Sequence, residues 1–466
     1  MLSFLLLPLY TGILATSGYG EVSVIFAWFA IFNVLLAYGM ETAFFRFYNG
    51  EDNKNTVLST SLWSLVGTTL LFFLIGILSL GSISEATGIE LKYIRFALFI
   101  LVLDALVIIP FAWLRANEKP MRYALIKILN VAINLGLNLF FLLALPTIFS
   151  KNPNGYFGGW YVPDNEITYI FIAMIAASAV TFLLMLGLYF RSKFVFDINL
   201  WKRMLVYAAP ILIAGLAFTI NEVFDRILLE YLLPEDIAKS EVGKYSACYR
   251  LALFMTLFGT AFRLGIEPFF FSHAKSENPE KSYAQITNYF VILGSIILLT
   301  VVVFADVLKI LFVRNESYWE AMSIVPIIVL ASFCLGIYHN LSVWYKITDK
   351  TKYGAYISSI GALLTLTFNL AMIPRIGYMA SAWATLIAYG SMMVLSFYFG
   401  KKYYPIPYNM RKIVFYGGVS IVFSVLSFYV FNRNLIAGSL LLLLFLGLIY
   451  KLEGDKLRTI FLRREN

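Results

Sequence analysis

The amino-acid sequence predicts an all-α, polytopic membrane protein with about fourteen transmembrane helices. Hydrophobic residues make up 60% of the 466 residues, and charged residues make up only 14%. Soluble domains carry about 25% charged residues. Apolar runs of about twenty residues, each long enough to cross a bilayer, recur along the whole chain. A backbone inside the bilayer must satisfy its own hydrogen bonds, so these runs are predicted to be helices.

The apolar runs define the positions of the fourteen predicted spans. They are placed at residues 1–16, 22–48, 57–80, 93–114, 121–145, 166–190, 204–233, 243–272, 284–313, 319–345, 353–373, 377–400, 412–432 and 435–451. The first is short for a span, and we expect its helix to be truncated. The longest loop, about 146–165, contains Tyr156, Trp160 and Tyr161, which we interpret as an interfacial aromatic belt.

Lysine and arginine are distributed unevenly between the two sides of the predicted bundle. Of the 36, 24 fall in the even-numbered loops and the C-terminal tail, and nine fall in the odd-numbered loops. Cytoplasmic loops carry the excess of basic residues. The distribution therefore predicts a multi-pass protein of the inner or plasma membrane with both termini in the cytoplasm. The other three basic residues, Arg226, Arg250 and Arg263, lie within predicted spans seven and eight.

The sequence also contains an internal repeat. The segment from Trp113 to Lys119 resembles the segment from Trp344 to Lys350 at an offset of 231 residues, and Asn138 and Asn369 share that offset. Six spans separate the copies, so the repeats are parallel and predict two six-helix lobes in a pseudo-twofold arrangement. The predicted parts are an N-lobe at 1–190, a C-lobe at 201–400, two appended helices at 411–451 and a basic cytoplasmic tail at 452–466.

Three N-terminal segments, 7–11, 18–21 and 39–48, resemble the opening of polysaccharide flippases of the O-antigen (Wzx) type. Those flippases share a superfamily with multidrug exporters and lipid II flippases. The resemblance implies alternating access and a flippase that moves a polyprenyl-diphosphate-linked oligosaccharide from the cytoplasmic to the outer leaflet. It also implies lipid-linked oligosaccharide and membrane lipids as partners, together with other polysaccharide assembly proteins.

A group of charged residues in span seven is the first candidate site. Glu222, Asp225, Arg226 and Glu230 follow one another at helical spacings that place them on one face. The functional interpretation is an ion relay, with Glu222 and Asp225 as coupling acids, beside a diphosphate-binding Arg226. The alternative is a structural cluster whose charges neutralise each other.

Span eight supplies two further arginines. Arg250 has no acidic partner at helical spacing, which makes it the better phosphate ligand, because a guanidinium fork suits diphosphate oxygens. Arg263 and Glu267 are four residues apart and can neutralise each other. Arg263 is predicted either to bind substrate or to extend towards the cytoplasm. We expect Arg226 and Arg250 to project into a central cavity between the lobes.

Span five carries three asparagines, Asn130, Asn134 and Asn138, with Lys127 on the same face. They either hydrogen-bond sugar hydroxyls or join neighbouring helices. Asp104 in span four is a candidate ion-coupling residue, and Glu41 is a second candidate titrating group.

Several other functions are disfavoured by the sequence. It contains no nucleotide-binding or zinc-protease motif, so no cofactor, metal or catalytic residue is predicted. Three intramembrane arginines repel the cations that a drug antiporter exports. A glycan polymerase or acyltransferase needs a larger outer loop or a catalytic histidine set. Nucleic-acid binding is also disfavoured, because the residues behind the net charge of +9 lie in membrane loops. A lipid II-type flippase is the nearest alternative.

Overall fold

The computed structural model describes residues 5–155, 158–191, 193–272 and 277–462, and within these ranges the chain forms helices and no strand. Among the described residues, twelve helical stretches, some of which contain a short break, are long and apolar enough to cross a membrane. They are Thr16–Gly50, Lys54–Leu78, Leu91–Ala116, Pro120–Lys151, Glu166–Arg191, Ile198–Leu232, Pro279–Val303, Glu316–Ile347, Lys352–Ile376, Tyr378–Tyr403, Met410–Val430 and Leu435–Gly454. The prediction of an all-α polytopic membrane protein is confirmed.

The count of fourteen stays a prediction, because two predicted spans are not among these twelve helices. The first is span 1–16, of which residues 1–4 lie outside the described residues and the rest includes a short helix at Leu7–Ile13. The second is span 243–272, in which the structure shows a helix that ends at Tyr249, a 3-10 turn at Arg250–Ala252 and a helix at Leu253–Ser272. Tyr156 of the predicted aromatic belt and residues 463–466 of the predicted tail lie outside the described residues.

The chain divides into two compact units, Met1–Ile227 and Leu228–Asn466. The first unit contains eleven described α-helices, the last of which continues to Leu232. They are α1 Leu7–Ile13, α2 Thr16–Ala37, α3 Met40–Gly50, α4 Lys54–Leu78, α5 Leu80–Thr87, α6 Leu91–Leu106, α7 Ile108–Ala116, α8 Pro120–Leu139, α9 Leu145–Lys151, α10 Glu166–Arg191 and α11 Ile198–Leu232. A π-helical turn, Phe140–Ala144, joins α8 to α9.

The break between α2 and α3 comes from two left-handed residues, Tyr38 with φ 31° and Gly39 with φ 72°. Gly39 also packs closely against α11. A Cβ added at this position would lie only 2.7 Å from the carbonyl oxygen of Ala208. The helices that meet here share a buried core that includes Phe44, Leu62 and Met204. The first part of α11 therefore packs within the first unit.

The second unit contains ten further described α-helices. They are α12 Glu235–Tyr249, α13 Leu253–Ser272, α14 Pro279–Val303, α15 Ala305–Phe312, α16 Val325–Leu341, α17 Val343–Ile347, α18 Lys352–Ile376, α19 Tyr378–Tyr403, α20 Met410–Val425 and α21 Leu435–Leu462. The last two correspond to the predicted appended helices, and α21 continues into the predicted tail. Glu453 of α21 is buried and bonds both Lys412 and Tyr416 of α20, which fixes the two helices together.

The two copies of the predicted repeat share their local structure. Trp113 lies near the end of α7 and Trp344 lies in α17. Five residues after each tryptophan comes a left-handed residue, Glu118 with φ 52° and Asp349 with φ 56°, and the next helix follows. This agreement at the predicted offset supports a duplicated helix–turn–helix unit.

Candidate functional site

A polar cavity of about 510 Å³ lies within the first unit. Its polar lining comes from α2, α3, α6, α7, α8 and α10. The residues are Asn33, Glu41, Asp104, Arg115, Tyr123, Lys127, Asn130, Asn134, Ser178 and Thr181, with Val107, Ile108, Phe111 and Met174 as apolar neighbours. Charged groups at membrane depth are costly and usually face water, a ligand or a partner, so this cavity is the strongest candidate site in the first unit.

Asp104 and Lys127 supply opposite charges to the cavity. The carboxylate of Asp104 accepts a hydrogen bond from the Ser178 hydroxyl at 2.7 Å. The Lys127 ammonium lies 4.2 Å from the centre of the Phe111 ring. An anchored acid beside an ammonium on an aromatic face can hold an ion or a polar ligand group.

The asparagines of α8 divide between two environments. Asn130 and Asn134 line the cavity, and the Asn130 amide donates to the Thr181 hydroxyl at 2.9 Å. Asn138 is completely buried, and it accepts a hydrogen bond from the Tyr10 hydroxyl at 2.9 Å. Its own amide donates to the carbonyl and side-chain oxygens of Asn134, both at 2.8 Å. This geometry favours an interhelical contact for Asn138 over a sugar contact.

An ion pair between Glu41 and Arg115 stands at the edge of the cavity. Its side chains are 41% and 40% exposed, so solvent screens the pair and its contribution to stability is small. The Arg115 guanidinium also lies 5.0 Å from the ring centre of Phe45 and 5.5 Å from that of Tyr123. These contacts hold the Arg115 guanidinium at the edge of the polar cavity and leave it partly exposed.

The second unit contains a matching ion pair. Glu267 bonds Lys346 at 2.6 Å, and Lys346 is the repeat counterpart of Arg115. The expected neutralisation of Arg263 by Glu267 is therefore not what the structure shows, because the carboxylate turns to the neighbouring helix. The small cavity here, about 10 Å³, is lined by both ion-pair residues together with Arg263, His339 and Asn340.

The charged residues of span seven lie near the end of the first unit. The Arg226 guanidinium donates to the Asp225 carboxylate at 3.0 Å and to the backbone carbonyl of Glu222 at 2.8 Å. Asp225 is 2% exposed, so the pair is largely removed from solvent. Asp225 and the backbone of Glu222 thus hold Arg226 in place.

Arg250 and Arg263 belong to the second unit. Arg250 is the first residue of the 3-10 turn between α12 and α13 and is half-buried. Within the part of the chain that the structure describes, neither arginine forms an ion pair. The structure thus places Asp104 and Asn134 on the same cavity. It joins Arg226 to Asp225 and to the backbone of Glu222 by hydrogen bonds. Arg250 and Arg263 lie apart from both groups in sequence.

Sequence reasoning missed Ser178, Thr181 and the two ion pairs. One signal was present, because Glu41 and Glu267 each follow a glycine by two residues, in Gly39-Met40-Glu41 and Gly265-Ile266-Glu267. This match has a different offset from the tryptophan repeat. Ser178 and Thr181 had no sequence signal, since hydroxyl residues are common in membrane helices.

A family model described as "Polysaccharide biosynthesis protein" matches residues 1–258, more than half of the chain. The chain belongs to this family. A second family model, MatE, matches residues 210–371. These two matches place this polysaccharide biosynthesis family member in the superfamily of multidrug, oligosaccharidyl-lipid and polysaccharide exporters, as a multi-pass membrane transporter. No curated protein sequence matches the chain significantly.

Solved structures of transporters share the fold of this polysaccharide biosynthesis family member. The lipid II flippase MurJ in an inward closed conformation is 15% identical, with a TM-score of 0.74 over 97% of this chain and 96% of that chain. An inward-facing MATE family multidrug transporter is 16% identical, with a TM-score of 0.68 over 86% and 93%. A MOP superfamily transporter from Pyrococcus furiosus is 14% identical, with a TM-score of 0.52 over 85% and 88%.

Proposed function

We propose that this protein is a flippase that moves a polyprenyl-diphosphate-linked oligosaccharide from the cytoplasmic to the outer leaflet of the inner or plasma membrane. Such a step supplies cell-surface polysaccharide biosynthesis of the O-antigen or lipopolysaccharide type. The family match over residues 1–258 carries the proposal. The polar cavity of the first unit supports it, because a glycan needs hydrogen-bonding groups within the membrane. Both termini lie in the cytoplasm in this proposal.

The diphosphate requires fixed positive charge, since moving it through hydrocarbon without compensation is prohibitive. Arg226, Arg250 and Arg263 are the proposed ligands. Arg250 and Arg263 form no ion pair in the described residues, which leaves their charges for a ligand. Asn134 contributes to sugar binding in this proposal; Asn138, which was predicted to do the same, is occupied by Tyr10 and Asn134.

Ion coupling is proposed to involve Glu222, Asp225 and Asp104. Asp225 holds the Arg226 guanidinium at 3.0 Å, so the acid and a diphosphate compete for the same cation. Protonation of Asp225 releases Arg226 for the substrate, which gives a physical route to proton coupling. Asp104, anchored by Ser178, is proposed to titrate in the polar cavity.

A lipid II-type flippase is the second candidate. The structural match to MurJ covers 97% of this chain, which includes most of the two appended helices. A drug or cation antiporter of the same superfamily is a weaker candidate, because the intramembrane arginines repel cationic cargo. The loops leave little space for the catalytic domain of a glycan polymerase or acyltransferase.

The test is transport in proteoliposomes that contain either a polyprenyl-diphosphate oligosaccharide or lipid II, with the translocated glycan detected by an impermeant lectin or enzyme. We expect the oligosaccharide lipid to be moved faster. Arg250→Ala should abolish transport, Arg250→Lys should retain part of it, and Arg226→Ala should reduce it. Arg411→Ala, which removes an exposed arginine at the start of α20, is the matched control.

Two results would contradict the proposal. Transport of lipid II alone would replace the oligosaccharide flippase with the second candidate. Normal rates from well-folded Arg226→Ala and Arg250→Ala proteins would show that these arginines are structural.

A further inference from the structure

A second, larger cavity of about 730 Å³ lies in the first unit at the ends of α4, α7 and α10. It shares no lining residue with the polar cavity described above. Four basic residues, Lys119, Arg122, Arg191 and Lys193, line it, and none of its lining residues in the described part of the chain is acidic. The aliphatic side chains of Leu184 and Leu188 form part of its wall.

Three of the four basic residues of this cavity have no carboxylate partner in the described part of the chain. Across the described ranges, Lys119, Arg122 and Arg191 take part in no ion pair. Lys119 instead places its ammonium 4.5 Å from the ring centre of Trp113, which also lines the cavity. A concave surface with several uncompensated cations attracts an anion strongly.

The chain beside the cavity has the character of a membrane–water interface. Phe190 and Phe194 are 82% and 72% exposed, and they flank the basic residues Arg191 and Lys193 in the sequence. Exposed aromatic rings and basic side chains occur together where a protein meets lipid headgroups.

This interfacial segment is held in place by Ser59 of α4. The Ser59 hydroxyl donates to the carbonyl of Lys193 at 2.6 Å, and the backbone N–H of Val195 donates back to it at 2.9 Å. The wall of the cavity is therefore built into the fold.

We propose that this cavity binds the headgroup of an anionic phospholipid. The guanidinium groups of Arg122 and Arg191 hold the phosphodiester oxygens, with Lys119 adding charge, and an acyl chain lies along Leu184 and Leu188. Basic pockets between membrane helices recognise anionic headgroups in this way. A mixed cationic and aliphatic lining suits a lipid better than free phosphate, which would use only the cationic part. The site is separate from the proposed flippase chemistry and does not depend on it.

Lipid binding to the full-length protein in neutral detergent tests the proposal, with native mass spectrometry as the readout. Phosphatidylglycerol should bind and phosphatidylcholine should not. Near a membrane surface, each basic residue contributes about a fivefold gain in affinity for anionic lipid, so Arg122→Gln/Arg191→Gln should weaken phosphatidylglycerol binding about thirtyfold. Arg122→Lys/Arg191→Lys keeps the charges and should retain most of the binding.

The matched control is Lys401→Gln/Lys402→Gln, which removes the same charge from two exposed residues of α19 outside the cavity. It should bind phosphatidylglycerol as the wild type does. Equal affinities for the wild type and Arg122→Gln/Arg191→Gln would overturn the proposal. Displacement of phosphatidylglycerol by polyprenyl diphosphate at a much lower concentration would also overturn it and assign the cavity to cargo. Complete displacement by an equal concentration of inorganic phosphate would show that no lipid chain is recognised.

Discussion

Substituting Asn138 by alanine should destabilise the protein while leaving its transport rate per folded molecule unchanged. The side chain is fully buried and makes one hydrogen bond with Tyr10 and two with Asn134. Side-chain hydrogen bonds between membrane helices contribute about 0.6 kcal/mol each on average. Only the bond with Tyr10 joins two helices, since the two bonds with Asn134 lie within α8. Because the amide is fully buried and its removal takes a hydrogen-bond acceptor from Tyr10, Asn138→Ala should lower the free energy of unfolding by about 2 kcal/mol.

The assay combines reversible unfolding in detergent with transport in proteoliposomes, normalised to folded protein. Tyr10→Phe removes only the hydrogen bond donated by the Tyr10 hydroxyl and should cost about 0.6 kcal/mol. Asn134→Ala alters the polar cavity and should slow transport as well as destabilise the fold. If Asn138→Ala unfolds like the wild type but fails to transport, Asn138 acts on substrate and the geometrical interpretation is wrong.

Three further predictions concern backbone strain, the appended helices and topology. Gly39→Ala should lower the melting temperature markedly, because the new Cβ would lie 2.7 Å from the Ala208 carbonyl oxygen. Gly88→Ala, at a similar φ of 65° with no atom within 4 Å, should cost only the roughly 1–2 kcal/mol of a left-handed alanine, and equal losses would contradict the contact. Glu453→Gln should destabilise the protein by about 1–2 kcal/mol in chemical unfolding, since it removes the carboxylate that Lys412, itself 30% exposed, bonds; unchanged stability would show that the pair does not hold α20 to α21. A reporter fused after the last residue should be active only in the cytoplasm, and periplasmic activity would refute the orientation.

The fold class followed from the sequence because bilayer thickness and backbone hydrogen bonding leave few alternatives to a long apolar helix. Breaks within the helices were harder to predict. Tyr38 and Gly39 interrupt the predicted span 22–48, although neither residue type by itself requires a break. The break is accompanied by a tertiary contact, the close approach of Ala208 to Gly39. Hydropathy contains no information on such contacts.

The candidate site could be predicted only in part. Helical spacing predicted one shared face for Lys127, Asn130, Asn134 and Asn138; the first three line the polar cavity, whereas Asn138 does not. The same spacing suggested that Glu267 neutralises Arg263, but a partner on a neighbouring helix, Lys346, takes the carboxylate. Spacing along one helix identifies a shared face, whereas the choice between partners depends on which helix packs against that face.

The two ion pairs, Glu41–Arg115 and Glu267–Lys346, stand beside cavities of very different size. Glu41–Arg115 stands beside a cavity of about 510 Å³, whereas Glu267–Lys346 stands beside one of about 10 Å³. The first volume accommodates a small polar group, and the second is about the size of a single water molecule. The space beside an ion pair of this kind therefore differs between the two units. A glycan contact acquired in the first half need not have an equivalent in the second.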